Sequence, residues 1–446
     1  MALAPGEGRK DLSADSLFRM LRSHFGSLPD PRSAEVEIPL DDALMSAFAM
    51  FSLKDPSLLA FDHRRRDPSD NFRTLYGIHR VPCDSQMRAV LDPVDPADLR
   101  PPFRAIFRRL QRGQALKRFV YWDGHYLVSL DGTTYFSSAT IHCPSCLVKH
   151  HRTGNITYSH QLLGATLVHP DLKEVIPLAP EPIIQQDGQD KNDCERNATR
   201  RWLQSFRQEH PHLPVIVVED ALSSNAPHLR DLREARAHYI IGVKPGDHAF
   251  LFEHVQTRDE AGQMQVLTLV DPVTQVLHHF RVCEGAPLNE SNPDELVNVL
   301  LYWEIPPDQI AKVKVQHFSW ITDLALNADT VWDIMRGGRA RWKIENETFN
   351  TLKNQGYHLE HNYGHGEQNL SVVLALMMML AFLVDQVQQL CCPLFQAAWS
   401  KMKTKCHLWE EIRHHFRTLL FDSMAELLTA LIRGIAPQKP VFENSS

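Results

Sequence analysis

The stretch Arg341-Trp342-Lys343-Ile344-Glu345 runs on to Lys353 with helical spacing. Trp342, Phe349 and Leu352 share one stripe, while Arg341, Glu345 and Lys353 rise along a neighbouring face. Such a helix presents one carboxylate flanked by cations, an arrangement suited to a metal ion with a phosphodiester lying across it. The same spacing fits an exposed helix whose Arg341 and Glu345 merely pair at i,i+4, so the chemistry needs partners from elsewhere. Two upstream segments offer them. The apolar run Tyr126 to Leu130 is followed by Asp131-Gly132-Thr133-Thr134, and the run Val215 to Glu219 by Asp220-Ala221. Each aspartate is expected at the carboxyl end of a buried strand, where open mixed sheets place their sites. Taken alone, each also reads as a turn residue that bonds its own backbone.

Sulfur and imidazole form a second group. Cys143-Pro144-Ser145-Cys146 is followed by His150, His151 and His160. A CxxC with histidines downstream suits structural zinc, with Cys143, Cys146, His151 and His160 as the ligand set, or two reduced cysteines in a hairpin. The segment Gly356 to Gly366 holds His358, His361 and His365, but its order is not the His-Glu-x-x-His of zinc hydrolases and its glycines break a helix. It reads as a loop near the substrate without a metal role. Trp303 and Trp320 are candidates to stack on an extruded base, or are ordinary core aromatics.

The elements that must position these groups follow in order. Residues 1 to about 33 are polar. A helix is expected from Asp41 or Asp42, with Leu44, Ala47, Phe48 and Phe51 inward, and a short helix capped by Asp84 or Ser85. The run His63 to Arg66 is a solvated basic face or a phosphate contact. A helix from Phe103 carries Arg104, Arg108, Arg109 and Arg112 opposite Phe107 and Leu110, the strongest basic face in the chain. Residues 1–118 thus form a helical unit, readable as a helix-turn-helix or as a plain bundle that props the core. Strands begin near residue 119, and a helix over 190–210 (Ala198, Trp202, Phe206) leads into the Asp220 strand. Residues 246–322 alternate like strands, and residues 391–446 read as amphipathic helices with a disordered tail from Pro437. The class is mixed α/β.

Composition bounds the reading. The 446 residues are enough for two or three domains. A net charge of −7 argues against a uniformly basic nucleic-acid binder, which leaves local clusters to carry any DNA contact. Eight cysteines without regular spacing point to a reduced, cytoplasmic protein. Val372 to Val384 is continuously apolar but shorter than the ~20 residues a bilayer needs, so it is expected as a buried helix with no membrane role.

Leu130-Asp131-Gly132-Thr133, Val218-Glu219-Asp220-Ala221 and Arg341-Trp342-Lys343-Ile344-Glu345 resemble the three acidic motifs of bacterial insertion-sequence transposases of the Asp-Asp-Glu type. The likeness is to the group with a ribonuclease-H-like core and a Tyr-Arg-Glu-Lys helix signature, and it covers roughly residues 120 to 385. Two positions depart from it. The signature's Tyr falls on Gly338, and its Lys meets Lys353 only with one extra residue after Glu345. The resemblance implies a ribonuclease-H-like core over 119–245 and 323–390, interrupted by a β-rich insertion over 246–322, with 1–118 for DNA recognition. It implies Asp131, Asp220 and Glu345 as catalytic ligands of Mg²⁺ or Mn²⁺, two ions in all, and Arg341, Trp342, Lys353, Arg104 and Arg108 as DNA contacts. Zinc would be structural only. The expected partners are double-stranded DNA (terminal inverted repeats and target) and a second copy as a homodimer on DNA, in the bacterial cytoplasm at the nucleoid. The implied activity is metal-dependent strand cleavage and transfer. The alternatives are a silent DNA-binding descendant and a nuclease that never joins ends.

Overall fold

The computed structural model describes residues 10–32, 36–67, 70–184, 194–307 and 315–434. The tail Pro437 to Ser446 lies outside them. The strands in chain order are β1 (Val120–Trp122), β2 (His125–Ser138), β3 (Leu147–His150), β4 (Ile156–Val168), β5 (Ile176–Pro177), β6 (Glu181–Ile183), β7 (Val215–Glu219), β8 (His238–Gly242), β9 (Gln265–Val270), β10 (Leu277–Asn289), β11 (Asn292–Ile305) and β12 (Gln316–Thr322). They make one sheet in the order β3-β4-β2-β7-β8-β12-β11-β10-β9, with β1 on β2 and β5 and β6 on β4.

Among the described residues only β2/β7 and β7/β8 pair in parallel. Every residue of β7 is buried, which is why Val215-Ile216-Val217-Val218 reads as a continuous apolar run: a parallel strand is covered on both faces. The helix Glu195–Glu209 leads into β7, and the helix Ala226–Glu234 crosses from β7 to β8. Three antiparallel strands, a helix, then a parallel strand closed by an acid is the ribonuclease-H-like order that the sequence implies.

The strand-rich stretch after residue 246 differs from expectation in two ways. It opens with a helix, Ala249–Glu260, whose Leu251 and Val255 are buried. Its strands then continue the same sheet, because β12 pairs antiparallel with β8 through Trp320, Ile321 and Thr322. Pairing partners so distant in sequence leave no local signal.

Helices from both ends of the chain pack as one layer. Leu40–Ser52 is buried at every residue but Asp41 and lies against Leu370–Cys391, a helix of 22 residues with every one buried. That helix is long and apolar enough to cross a membrane, yet it is wholly enclosed, as expected for a core element. The basic run is internally paired, with Arg64 on Asp55 and both Arg65 and Arg66 on Asp62. The short helix Asp84–Leu91 is capped by Cys83, one residue before the expected cap. The basic helix starts at Pro101 and ends at Arg112, Pro occupying the first turn, where a missing N–H costs nothing.

Candidate active site

The parallel register of β2 and β7 runs from Tyr126 opposite Val215 to Ser129 opposite Val218. Continued by two residues, it sets Asp131 level with Asp220 on the neighbouring strand, and such strands stand about 4.8 Å apart. Asp131 is not at the end of its strand, since β2 runs on to Ser138 against β4. It sits where β7 stops, so the boundary that matters belongs to the neighbour.

Glycine brings Glu345 to the pair. Asp131 faces Gly164 of β4 in the antiparallel register. A Cβ at Gly164 would lie 2.8 Å from the Phe349 ring and 3.4 Å from Ile344 Cδ1. The bare backbone therefore lets the Glu345 helix lie on the sheet beside Asp131, and Ser129 Oγ pins it by donating to the Arg341 carbonyl at 3.1 Å. The helix differs from a plain α-helix at this point: Ile344–Phe349 is a π turn between Val331–Ala340 and Asn350–Asn354. A wider i→i+5 turn lodges one additional residue, which accounts for the extra residue between Glu345 and Lys353.

Arg341 is the cation of the cluster. Its guanidinium lies 3.4 Å from Asp131 Oδ2 and 3.9 Å from Glu345 Oε1 and is largely buried, with its carbon 5.2 Å from the Trp342 ring. One guanidinium does not balance the acids. Burial pushes Asp131 up to about 7, Arg341 pulls it back in part, and the charges of Glu195, Glu345 and Asp220 raise it further. Glu195 is the carboxylate that sequence reasoning missed. It opens the helix Glu195–Glu209, is itself raised by burial and by Asp220, and accepts from the Gly132 backbone N–H. A Cβ at Gly132 would overlap its carboxylate. The glycine after Asp131 was the available signal, because it marks a close approach that only Gly allows.

Asp220 caps its own turn, Oδ1 accepting from the Leu222 N–H at 2.9 Å. The turn reading is therefore met, and the same residue stands level with Asp131 in the strand register. Strand alternation sends Glu219 to the other face, where it is buried against Ser223 Oγ and His228 Nε2 at 3.1 and 2.5 Å. Burial alone would lower His228, but the charge and hydrogen bond of Glu219 outweigh it and raise the imidazole.

The remaining predicted residues fall elsewhere. Trp342 is half exposed beside Arg341. Lys353 pairs with Glu360 at 2.7 Å. Arg104 and Arg108 lie near His210, which precedes β7, so a strand of about 17 Å separates them from Asp220 at its other end. Trp320 is a core aromatic and occupies the space in front of Gly338, where any Cβ would overlap the indole. The signature's Tyr is therefore excluded from this position by packing. Trp303 stacks on His317 at 4.7 Å between centroids. His151 does not join the cysteines. It is exposed, and its Nε2 pairs with Thr157 Oγ1 at 2.8 Å. His365, read as a loop residue without a metal role, is buried with Cys143, Cys146 and His160 instead.

A cavity of about 700 Å³ opens on the next turn of the same helix, lined by Glu347 and Thr351 together with Lys173, Lys403, Lys405, Arg413 and Trp399. Burial lowers both Lys405 and Arg413, while the neighbouring acids Asp385, Glu347 and Glu174 pull Lys405 back up in part.

A family model for the transposase DDE domain matches residues 178–383. The match takes in Asp220, Glu345 and all of the strands from β7 to β12, and leaves Asp131 outside. No curated protein matches the chain. Over residues 178–383, on its mixed α/β sheet, the chain therefore resembles the DDE domain of transposases.

Proposed function

We propose that this chain is a transposase that cuts DNA at the ends of its element and joins the freed 3′-hydroxyl to a second phosphodiester, with Asp131, Asp220 and Glu345 as the catalytic acids. The observation that carries the proposal is the convergence itself: two aspartates level on adjacent parallel strands, and a glutamate laid beside them over Gly164. The donor set fits a hard divalent cation, because these are oxygen ligands and Asp131 is raised by burial first, with the repulsion of its neighbouring carboxylates adding to it and Arg341 offsetting it only in part. Asp131, Asp220 and Glu345 would hold the divalent cation, Mg²⁺ or Mn²⁺ and two ions in all, which would supply stabilisation of charge on the attacking and leaving oxygens.

The chain's own residues supply the rest. Arg341 holds a phosphate next to the cut, a planar guanidinium matching two phosphate oxygens at once. Glu195 adds negative charge and fixes the Gly132 backbone beside Asp131. Trp342, exposed next to Arg341, faces the duplex, and the cationic cavity beyond Glu347 takes backbone phosphates of the flanking DNA. Lys353 reaches DNA only by leaving Glu360. Arg104 and Arg108 contact a more distant part of the duplex, with residues 1–118 as the recognition unit and 391–446 as support. The catalytic core then spans 119–245 and 323–390, with 246–322 inserted. Hydrolysis breaks the first P–O bond and the proton passes to the leaving 3′-oxygen. In the joining step one P–O bond forms as another breaks, so no external energy source is required. Two ends in one reaction call for a homodimer on DNA.

A labelled duplex bearing the flanking inverted repeats, incubated with the protein and Mg²⁺, tests this. Cleavage with joining is expected. Cleavage alone would indicate a nuclease, and an intact but shifted duplex a silent DNA-binding protein.

A further inference from the structure

Cys143, Cys146, His160 and His365 are all buried, and one ligand atom from each lies within 4.8 Å of the others. Four of their six separations match a tetrahedron around one ion, and the other two are within 4.8 Å. Zinc–sulfur bonds of ~2.3 Å and zinc–nitrogen bonds of ~2.0–2.1 Å at tetrahedral angles require ~3.8 Å between sulfurs and ~3.5 Å from sulfur to nitrogen. Cys143 Sγ and Cys146 Sγ are 3.9 Å apart. His160 Nε2 is 3.4 Å from each sulfur, and His365 Nε2 is 3.5 Å from Cys146 Sγ. Both imidazoles present Nε2 to the centre, while their Nδ1 atoms are buried and unpartnered. Four soft polar groups gathered this way inside the protein, with Phe136 4.4 Å from the His365 ring and 5.9 Å from that of His160, are costly unless something binds at their centre.

We propose that these four side chains form a closed Cys₂His₂ zinc site. All four positions are filled by protein, so the ion is structural and has no open place for substrate or water. Its role follows from where the ligands sit. Cys143 and Cys146 lie between β2 and β3, and His160 is on β4, four residues before Gly164. His365 is in the loop that leads from the Glu345 helix to Leu370–Cys391. One ion thus ties that loop to the sheet across 219 residues of sequence and holds the exit of the Glu345 helix against the strand on which it rests. The assignment stands apart from the cleavage chemistry, which uses other residues and harder ligands.

Metal analysis by mass spectrometry of the full-length chain, purified without chelator and then dialysed against Zn²⁺-free buffer, is expected to find about one zinc per chain. Replacement by Co²⁺ should give the intense visible bands of a tetrahedral site with a thiolate-to-cobalt charge-transfer band. Cys143→Ser and His365→Ala should lose the zinc, while His151→Ala and Asp131→Asn keep it. The wild-type measurement does not depend on any variant folding. A wild-type chain without zinc even after reconstitution with Zn²⁺, or zinc lost in His151→Ala but kept in His365→Ala, would overturn the assignment.

Discussion

Asp131 in the sheet and Asp385 in the helical layer are both carboxylates that burial pushes above their ordinary range. Their surroundings differ. Asp385 sits inside Leu370–Cys391 with Lys54 Nζ at 2.6 Å and the Tyr357 hydroxyl donating to the same oxygen. Lys54 is itself held by the carbonyls of Phe51 and Ser52 and lies over the Tyr357 and Trp409 rings. The charge of that acid is matched by Lys54, through Oδ2 alone. Asp131 has one guanidinium at 3.4 Å and three further carboxylates around it, so its charge is matched only by something brought from outside. A buried acid whose charge is met by a lysine of the same chain serves the fold, even with Asp385 Oδ1 left unpartnered, whereas a buried acid left in surplus is a binding site awaiting its cation.

Removing one side of the buried pair should have the largest effect on stability. Lys54→Met leaves Asp385 uncompensated and is expected to cost about 3–5 kcal/mol in a denaturant titration. A loss below 1 kcal/mol would mean that the pair is not what holds the two ends of the chain together. Gly338→Tyr, which restores the signature residue, should destabilise by about 1–3 kcal/mol, because the Trp320 indole fills its place. Unchanged melting would show that the indole moves aside.

On the other side of the comparison the sign reverses. Asp131→Asn removes a charge that the metal-free fold disfavours, so stability in chelator, read by a denaturant titration, is expected to rise by roughly 1 kcal/mol. The smallest effect is at Glu219 and His228. The folded pKa of His228 is raised, so its contribution is fully present below the ordinary histidine value and is lost as pH rises through the folded one. Stability measured across that range should fall with pH in the parent and fall less in His228→Gln.

What the sequence disclosed depended on how local each signal was. Asp131 and Asp220 were legible because apolar strand runs end or pause at them, and Glu345 because its cations share a helix with it. That Asp131 lies within a long strand was not legible, since the boundary is set by where β7 ends. Glu195 carries no pattern of its own and enters the site only through contact with Gly132. His365 stands 219 residues from Cys146, and its glycine-flanked surroundings look like any loop, whereas His151 has the more regular spacing but points to solvent. The strands after residue 246 were readable as strands, but their continuity with β8 was not, because a strand's partner is a property of the sheet.

The central claim is that Asp131, Asp220 and Glu345, drawn from three segments, hold divalent cation jointly. Mn²⁺ titration of the full-length protein followed by electron paramagnetic resonance tests it without DNA or turnover. Asp131→Asn, Asp220→Asn and Glu345→Gln should each weaken Mn²⁺ binding by about tenfold or more while the protein stays folded. Parental affinity in any one of the three would contradict a shared site.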